Sequence, residues 1–427
     1  MTIKEVVPNA QVRKGVMTGA DADAGAEEVH YDLNGKVFTE VDFTMKQIYD
    51  AIPEHCFHPS MLRSLGYVVR DFFLVGSLVY AASFIQYLPS SVGRFIAWTV
   101  YTVVQGMVFT GIWILGHECG HGAFSESKAV NHSVGLFLHS FLLVPFHAWR
   151  LSHSKHHKAT GNMEREVVFV PHTRESYLKT KFGKHADPEH SKFAEIVQDA
   201  PIVSIFKLFI HQVFGWPAYL FTAVSGPLYD VPFYKLNHFY FGEDGPYFGP
   251  KDTRHIIISD VAMAAMIYAL YLFGQAVGHW NAILLYAIPY LMVNHWIVAI
   301  TYLQHSDGAL PHYHDNVWTF AKGATATIDR DFGFIGRHLF HSIIETHVLH
   351  HLVSTIPFYY SHEASAAIKK VMGKSYIADT DTNLLVALWR NQRNCMFAEE
   401  SVKGSGILFY RNLHGKGMPP RQLTTAN

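Results

Sequence analysis

Four long apolar segments divide the chain of 427 residues. They lie at 67–88, 95–116, 256–277 and 281–303. Each has roughly the 20 residues that a helix needs to cross the hydrocarbon core of a bilayer, and a helix satisfies its own backbone groups there. The pattern predicts four transmembrane helices. The short connections at 89–94 and 278–280 pair these helices into two hairpins.

The other segments are long and charged, whereas the two short connections hold a single cationic residue, Arg94. The tendency of basic loops to stay inside predicts that both termini and the long loops face the cytosol. Two weaker apolar segments, 133–149 and 202–225, contain His, Pro or Gly and predict interfacial or re-entrant helices. A short amphipathic helix within 42–60 is expected at the membrane surface.

Three units follow from this pattern. Residues 1–41 are polar and predict a mobile cytosolic tail. Residues 42–397 form one membrane domain, and residues 398–427 are expected to be a cytosolic C-terminal tail. The first residues contain no apolar run of the signal-peptide kind, so no cleavable signal peptide is expected.

Composition agrees with a membrane protein that has large polar loops. Charged residues make up 16% of the chain, against roughly 25% in soluble domains. Lys and Arg number 34 and Asp and Glu number 35. The chain therefore lacks the excess of basic residues that is typical of nucleic-acid-binding proteins. The three cysteines, at 56, 119 and 395, form no CxxC pair and predict free thiols in a reducing compartment.

Histidine is unusually frequent, with 29 residues, and eight of them fall in three clusters. The clusters are HECGH at 117–121, HSKHH at 153–157 and HVLHH at 347–351. Spacings of i, i+3 and i+4 place the rings of each cluster on one helical face. Two spans separate the first two clusters from the third, so all three lie on the same side of the membrane. Eight imidazoles are too many for one ion and predict a site for two metal ions, although imidazole accepts Fe, Zn, Cu or Ni.

Further residues could complete this site. His305 ends the fourth predicted span on the same side of the membrane and is a ninth candidate ligand. His341, Asp329 and Glu345 are candidates to orient ligand rings through the free ring nitrogen. Glu118 points about 100° away from the ring face of its helix, which favours either a supporting contact to a ligand residue or a role in helix packing.

The clusters and their flanks resemble the membrane-bound fatty acid desaturase family, in particular the methyl-end branch of fungal and plant delta-12 and omega-3 desaturases. The resemblance covers about residues 43–397. The segments that carry it are HECGHGAFS at 117–125, WRLSHSKHH at 149–157, ITYLQH at 300–305, IDRDFG at 328–333 and ETHVLHHL at 345–352.

The resemblance implies an all-α integral membrane protein whose cytosolic helical cap carries a di-iron site. The implied iron ligands are His117, His121, His153, His156, His157, His305, His347, His350 and His351. In a related branch a water-bridging Asn stands four residues before the ninth histidine. Here that position is Thr301, which is therefore left out of the ligand set.

It also implies a reaction and its partners. The expected reaction uses O2 to introduce a cis double bond at delta-12 of an oleoyl chain, which is expected to be phospholipid-linked. No His-Pro-Gly-Gly motif of a fused cytochrome b5 occurs, so an external cytochrome b5 and its NADH-dependent reductase are the expected electron source. The implied location is the endoplasmic reticulum membrane.

Several alternatives stay open at this point. An omega-3 or bifunctional delta-12/omega-3 desaturase fits the same motifs, as does a hydroxylase, epoxygenase or acetylenase. Another class of histidine-rich di-iron enzyme, such as an alkane or sterol oxidase, is a further alternative. The sequences that flank the clusters at 149–152 and 300–304 argue against it. A metal transporter places its polar ligands near the bilayer midplane, whereas these clusters lie beyond the ends of the predicted spans.

Overall fold

The structure is a computed structural model that describes residues 29–182, 200–227 and 229–412. Most of the predicted N-terminal tail, residues 1–28, and the end of the C-terminal one, residues 413–427, lie outside the described residues. The α-helices that the structure describes are Met45–Ala51, Met61–Ala82, Ser91–His121, Lys128–Phe141, Phe146–Ala159, Arg174–Phe182, Pro201–Thr222, Thr253–Val277, His279–Ala282, Ile288–His305, Phe320–Ala324, His347–Leu352, Phe358–Met372 and Leu384–Asn394. The strands are β1 (Pro311–Tyr313), β2 (Asp329–Arg330), β3 (Ala378–Asp379), β4 (Phe397–Glu400) and β5 (Ile407–Arg411).

Among the described residues, four helical segments are long and apolar enough to cross a membrane, as predicted. The first span is Met61–Tyr87, the second is Ser91–His121, the third is Thr253–Val277 and the fourth is His279–His305. A π-helical turn at Ile283–Ala287 interrupts the fourth span just before Pro289. The first and third spans bury few of their side chains within the chain, whereas the second and fourth are the more buried pair. The second and fourth spans therefore form the centre of the bundle.

The predicted interfacial segment at 133–149 is two helices rather than one. Lys128–Phe141 and Phe146–Ala159 each have 14 residues and meet at an angle of 107°. Neither helix alone reaches the roughly 20 residues of a span. We call this pair the elbow. The other predicted segment is the helix Pro201–Thr222, which packs against the fourth span.

The second span and the fourth span both run past the apolar stretch that predicted them. The second ends at His121, where Gly122 takes the left-handed conformation (φ 77°) that stops the helix. The fourth ends at His305. Each extension carries metal-ligand candidates to the same end of the bundle as the second helix of the elbow, which packs against the second span.

The described part of the chain also forms two small sheets, which lie beside the helices. In the larger one β5 is central and pairs antiparallel with β1 and β4. All five residues of β5 are buried. Part of the predicted C-terminal tail, as far as Arg411, therefore packs against the rest of the fold, because apolar side chains of β5 such as Phe409 join a core with Tyr313 and Ala326. Likewise Leu33, in the predicted N-terminal tail, is buried and its backbone N–H donates to Gly308.

One glycine of the second span sets how closely the elbow approaches. A Cβ atom at Gly116 would lie 2.2 Å from Cδ2 of His139, whose buried ring donates to the Trp113 carbonyl at 3.0 Å. We expect Gly116→Ala to lower the free energy of unfolding by about 1–3 kcal/mol, because overpacking forces a held ring to move. The measurement is the thermal unfolding midpoint in detergent.

The control for this prediction is Gly76→Ala in the first span, where an added Cβ would meet no atom within 4 Å. Alanine has the higher helix propensity, so the control should unfold at the same temperature or a higher one. Equal midpoints for both variants would contradict the close packing of Gly116 on His139.

Candidate metal centre

The nine predicted ligand histidines come from four elements that end at one place. The second span supplies His117 and His121, the second helix of the elbow supplies three rings, the fourth span ends in His305, and the helix His347–Leu352 supplies the rest. The structure brings all nine together, and none is exposed. The full set is His117, His121, His153, His156, His157, His305, His347, His350 and His351.

The rings divide into two adjoining groups. Ligand atoms of one group all lie within 4.8 Å of one another, and this group is His117, His121, His153, His157 and His350. The second group is His156, His305 and His351, and the Nε2 atom of His347 lies 3.0 Å from that of His305. The rings of His157 and His351 stack with centroids 4.1 Å apart, so the two groups touch.

The separations between ring nitrogens suit a shared metal ion. The Nε2 atom of His153 lies 3.1 Å from Nε2 of both His117 and His157. Imidazole nitrogens bound about 2.1 Å from one metal ion at right angles would be about 3 Å apart. When several neutral rings direct nitrogen lone pairs at a common point, the nitrogens have no hydrogen to share with one another. A bound metal ion would interact with all of these lone pairs.

Several of these nitrogens have no hydrogen-bond partner although they are buried. Among the described side chains they include Nε2 of His121, His156, His350 and His351. Burial lowers the pKa of His347, His350 and His351 well below the usual range, which keeps the rings neutral. Neutral imidazoles with free lone pairs are the form that binds metal ions. The donor set therefore fits two ions.

Two side chains that the sequence analysis missed make polar contacts with predicted ligand rings. Glu166 Oε2 accepts from Nδ1 of His156 at 2.8 Å, and both side chains are fully buried. The other oxygen, Oε1, accepts from the backbone N–H groups of Val167 and Val168. Thr160 Oγ1 lies 3.2 Å from Nδ1 of His351. Each contact leaves the Nε2 atom of its histidine directed at the centre, as a metal ligand requires.

Asp329 and Glu345, which were predicted to orient ligand rings, make their polar contacts with other groups. Asp329 accepts from the backbone N–H of Val348 at 2.8 Å and from the hydroxyl of Tyr376, so it caps the helix that carries the third cluster. Burial raises the pKa of Asp329 to about 6. Glu345 accepts from the Phe332 N–H, and burial raises its pKa to about 7. The described polar contacts of both carboxylates are therefore not with a ligand ring.

His341 and Glu118 fix the surrounding elements. His341 Nε2 lies 2.9 Å from Asp71 Oδ2, which ties the segment before the third cluster to the first span. This contact replaces the predicted role of His341 in orienting a ligand ring. Glu118 Oε2 accepts from the backbone N–H of Phe358 at 3.0 Å, and its other oxygen lies 3.8 Å from Nδ1 of His117.

A cavity with about 990 Å³ of empty space, including its open mouth, reaches the centre from one side. Five of the nine histidines line it, namely His117, His153, His156, His305 and His347. Its walls continue along the second span to Thr110 and along the fourth to Ile297, which is about 10 Å or more at 1.5 Å per residue. Apolar and aromatic side chains dominate this part of the wall, including Ile114 and Trp216.

We expect Glu166→Gln to weaken metal retention by about 10- to 100-fold. The two backbone donors at Val167 and Val168 hold an acceptor oxygen, so the amide NH2 of glutamine would face Nδ1 of His156. That donor favours the tautomer with hydrogen on Nε2, which cannot bind a metal ion. The measurement is bound metal per chain after dialysis against a graded series of chelator concentrations.

The matched control is Glu164→Gln. Glu164 Oε1 lies 2.6 Å from Nδ1 of His314, but this pair is partly exposed and outside the cluster. The control should retain metal as the unmodified chain does. Equal retention by both variants would show that Glu166 does not orient a ligand.

Comparisons with known proteins agree with this architecture. A family model described as fatty acid desaturase matches residues 96–383. An oleate hydroxylase of Claviceps purpurea is 43% identical over 415 residues, covering 92% of this chain and 86% of that protein. A Delta(12) fatty acid desaturase of Mortierella isabellina is 44% identical over 361 residues, covering 84% of this chain and 89% of that protein. A Delta(12)-fatty-acid desaturase of Arabidopsis thaliana is 39% identical over 373 residues (87% and 92%).

Proposed function

The chain belongs to the fatty acid desaturase family, and from this premise we propose that it introduces a cis double bond at delta-12 of an oleoyl chain through a histidine-bound di-iron centre. As a member of that family it is an oxidoreductase, and its four candidate spans make it a multi-pass membrane protein. The proposal concerns the position of the double bond, the metal and the lipid substrate.

The observation that carries the proposal is the apolar cavity that opens onto the histidines. A saturated acyl segment has no polar group that a side chain could recognise, so burial in a shaped apolar cavity is the available means of binding it. The cavity wall includes rings of both histidine groups, such as His153 and His305. A carbon pair of a bound chain would therefore lie beside both metal positions.

In this proposal, side chains of the protein bind the acyl chain, orient the histidine rings and shield them from water. Ile114, Ile297 and Val298 hold the acyl chain and fix which carbons stop beside the histidines, so proximity selects the bond. The stacked ring of Phe169, whose centroid lies 4.6 Å from that of His305, shields one ligand from water. Glu166 and Thr160 keep His156 and His351 in the metal-binding tautomer.

Two iron ions held by the nine histidines would supply the oxidising power that no side chain has, because an unactivated C–H bond is not acidic. In the balanced reaction the acyl chain loses two hydrogen atoms and O2 is reduced to two water molecules, which requires two further electrons and two protons. We propose an external cytochrome b5 and its NADH-dependent reductase as the electron source. The substrate is proposed to be phospholipid-linked in the endoplasmic reticulum membrane, with the histidine end of the bundle in the cytosol.

The test is a fatty-acid methyl-ester profile of yeast that makes oleate but no polyunsaturated lipid and expresses this chain. A diunsaturated C18 product with its new double bond at delta-12 is expected. A triunsaturated product after feeding linoleate would add omega-3 activity. An unchanged profile from protein that is expressed and carries iron would refute an acyl substrate of this class.

Oleate hydroxylation is the second candidate, because the relative from Claviceps purpurea is named an oleate hydroxylase. Hydroxylation would use the same cavity and histidines, and its product would carry one oxygen atom from O2 in a former C–H bond instead of a new double bond. The same methyl-ester profile separates the two, since a hydroxylated product elutes apart from a diene. Hydroxy-oleate as the main product would favour this candidate.

A further inference from the structure

A separate set of potential metal ligands lies outside the nine histidines. Cys56 and His55 belong to the short 3₁₀ turn Glu54–Phe57, and Glu363 belongs to the helix Phe358–Met372. One ligand atom from each of the three residues lies within 4.8 Å of the other two. Cys56 is buried, whereas His55 and Glu363 have about half of their side chains exposed, at 53% and 51%.

The contacts converge on one atom. Nε2 of His55 lies 3.0 Å from Glu363 Oε2 and 3.7 Å from Cys56 Sγ. A ring nitrogen either carries one hydrogen or offers one lone pair. It can therefore make one good hydrogen bond but not two, and both neighbours are strong electron-pair donors once ionised. The three donor atoms lie within 4.8 Å of one another, close enough to be ligands of one shared cation.

The distances agree with a tetrahedral ion. Ligands at about 2.3 Å for sulfur and about 2.0 Å for nitrogen and oxygen would be roughly 3.3–3.5 Å apart in such a site. The two observed separations lie within a few tenths of an ångström of that range. A thiolate and an imidazole favour zinc over magnesium or calcium, which take oxygen ligands. The exposed sides of His55 and Glu363 leave a fourth position open to water.

We propose that His55, Cys56 and Glu363 form a zinc-class metal site that is separate from the di-iron centre. The bound ion would join the turn before the first span to the helix Phe358–Met372. That helix packs against the helix His347–Leu352, and its first N–H donates to Glu118. The ion would thus clamp the N-terminal turn onto the support of the third histidine cluster, in a structural role.

The probe is Co²⁺, since it occupies zinc sites and its bond to a thiolate gives a sulfur-to-cobalt charge-transfer absorption. Full-length chain in lipid nanodiscs, loaded with iron first, is titrated with Co²⁺. We expect one equivalent of the sulfur-dependent absorption, displaced by Zn²⁺. The histidine centre contributes no thiolate, so its occupancy does not imitate this signal.

Three variants and one matched control complete the test. Cys56→Ser should remove the absorption, and Cys395→Ser, which alters a thiol elsewhere in the fold, should keep it. Glu363→Gln and His55→Ala should each raise the Co²⁺ concentration for half-saturation at least tenfold. Glu363 is exposed, so its variant is expected to fold, which iron retention in the same sample verifies.

An absent absorption in the unmodified chain, or one that survives Cys56→Ser, would overturn the proposal. So would half-saturation unchanged in both the Glu363 and His55 variants, because the thiol would then bind without its neighbours. These readouts do not depend on lipid turnover. Failure of this site and failure of the proposed desaturase function can therefore be told apart.

Discussion

Replacing His157 with alanine should lower product formation by more than about 100-fold and reduce the bound iron. His157 belongs to the group of five rings, lies 3.1 Å from His153 between their Nε2 atoms, and stacks on His351 of the other group. Its loss would remove one predicted ligand and the ring through which the two groups touch. Losing even a residue that only orients a ligand costs 10- to 100-fold, so losing the ligand itself should cost more.

The measurements are the methyl-ester profile and the iron content of purified chain. His338→Ala is the matched control, because His338 precedes the third cluster in sequence but its side chain is exposed and outside the two ring groups. It should leave both quantities unchanged. Unaltered iron content with His157→Ala would mean that this ring is not a ligand, whatever happens to the activity.

The parts of this site that could be predicted are those that helical periodicity encodes. Spacings of i, i+3 and i+4 place rings on one face irrespective of tertiary structure, and the apolar spans fix on which side of the membrane each cluster lies. His305 is predictable for the same reason, since it ends a span. These two regularities together place nine rings at one end of the bundle, and the structure brings the nine together there.

The contacts that orient the rings are not encoded in this way. Glu166 is ten residues from His156, a separation that no helical spacing relates. The turn at Asn162 between them is held by long-range contacts with β1 and the residues after it, such as the hydrogen bond from Asn162 Nδ2 to Asp315 Oδ1. Asp329 and Glu345 were sensible candidates because they flank the third cluster, but their oxygens accept from backbone N–H groups. Proximity in sequence shows where a carboxylate lies and leaves open which donor it faces.

The packing of the residues after the predicted domain boundary at 397 is also not encoded in local periodicity. The five-residue strand Ile407–Arg411 pairs on one side with Phe397–Glu400, which is close in sequence. Its partner on the other side, Pro311–Tyr313, lies about a hundred residues earlier. Strand pairing over such a separation depends on the helices that bring the two segments together, so periodicity alone does not predict it.

The second large effect is expected deep in the cavity, at Ile297. This side chain is 3% exposed, lines the cavity and lies about two turns before His305 on the fourth span. Tryptophan there would fill the space between the histidines and the far end of the cavity. The acyl chain would then stop short, so the carbons beside the histidines would change. A displacement of 1 Å can cost about 10²-fold in rate, so Ile297→Trp should abolish most oleoyl turnover while iron stays bound.

A shorter monounsaturated chain tests this interpretation, since it needs less room beyond the reacting carbons. We expect Ile297→Trp to favour a C16 over a C18 substrate at least tenfold relative to the unmodified chain, measured by feeding both acids in competition. Leu291→Trp is the control, because Leu291 lies on the same span with 44% of its surface exposed and outside the cavity wall. If both variants lost C18 and C16 turnover equally, the cavity would not hold the acyl chain, because a filled binding site must discriminate by length.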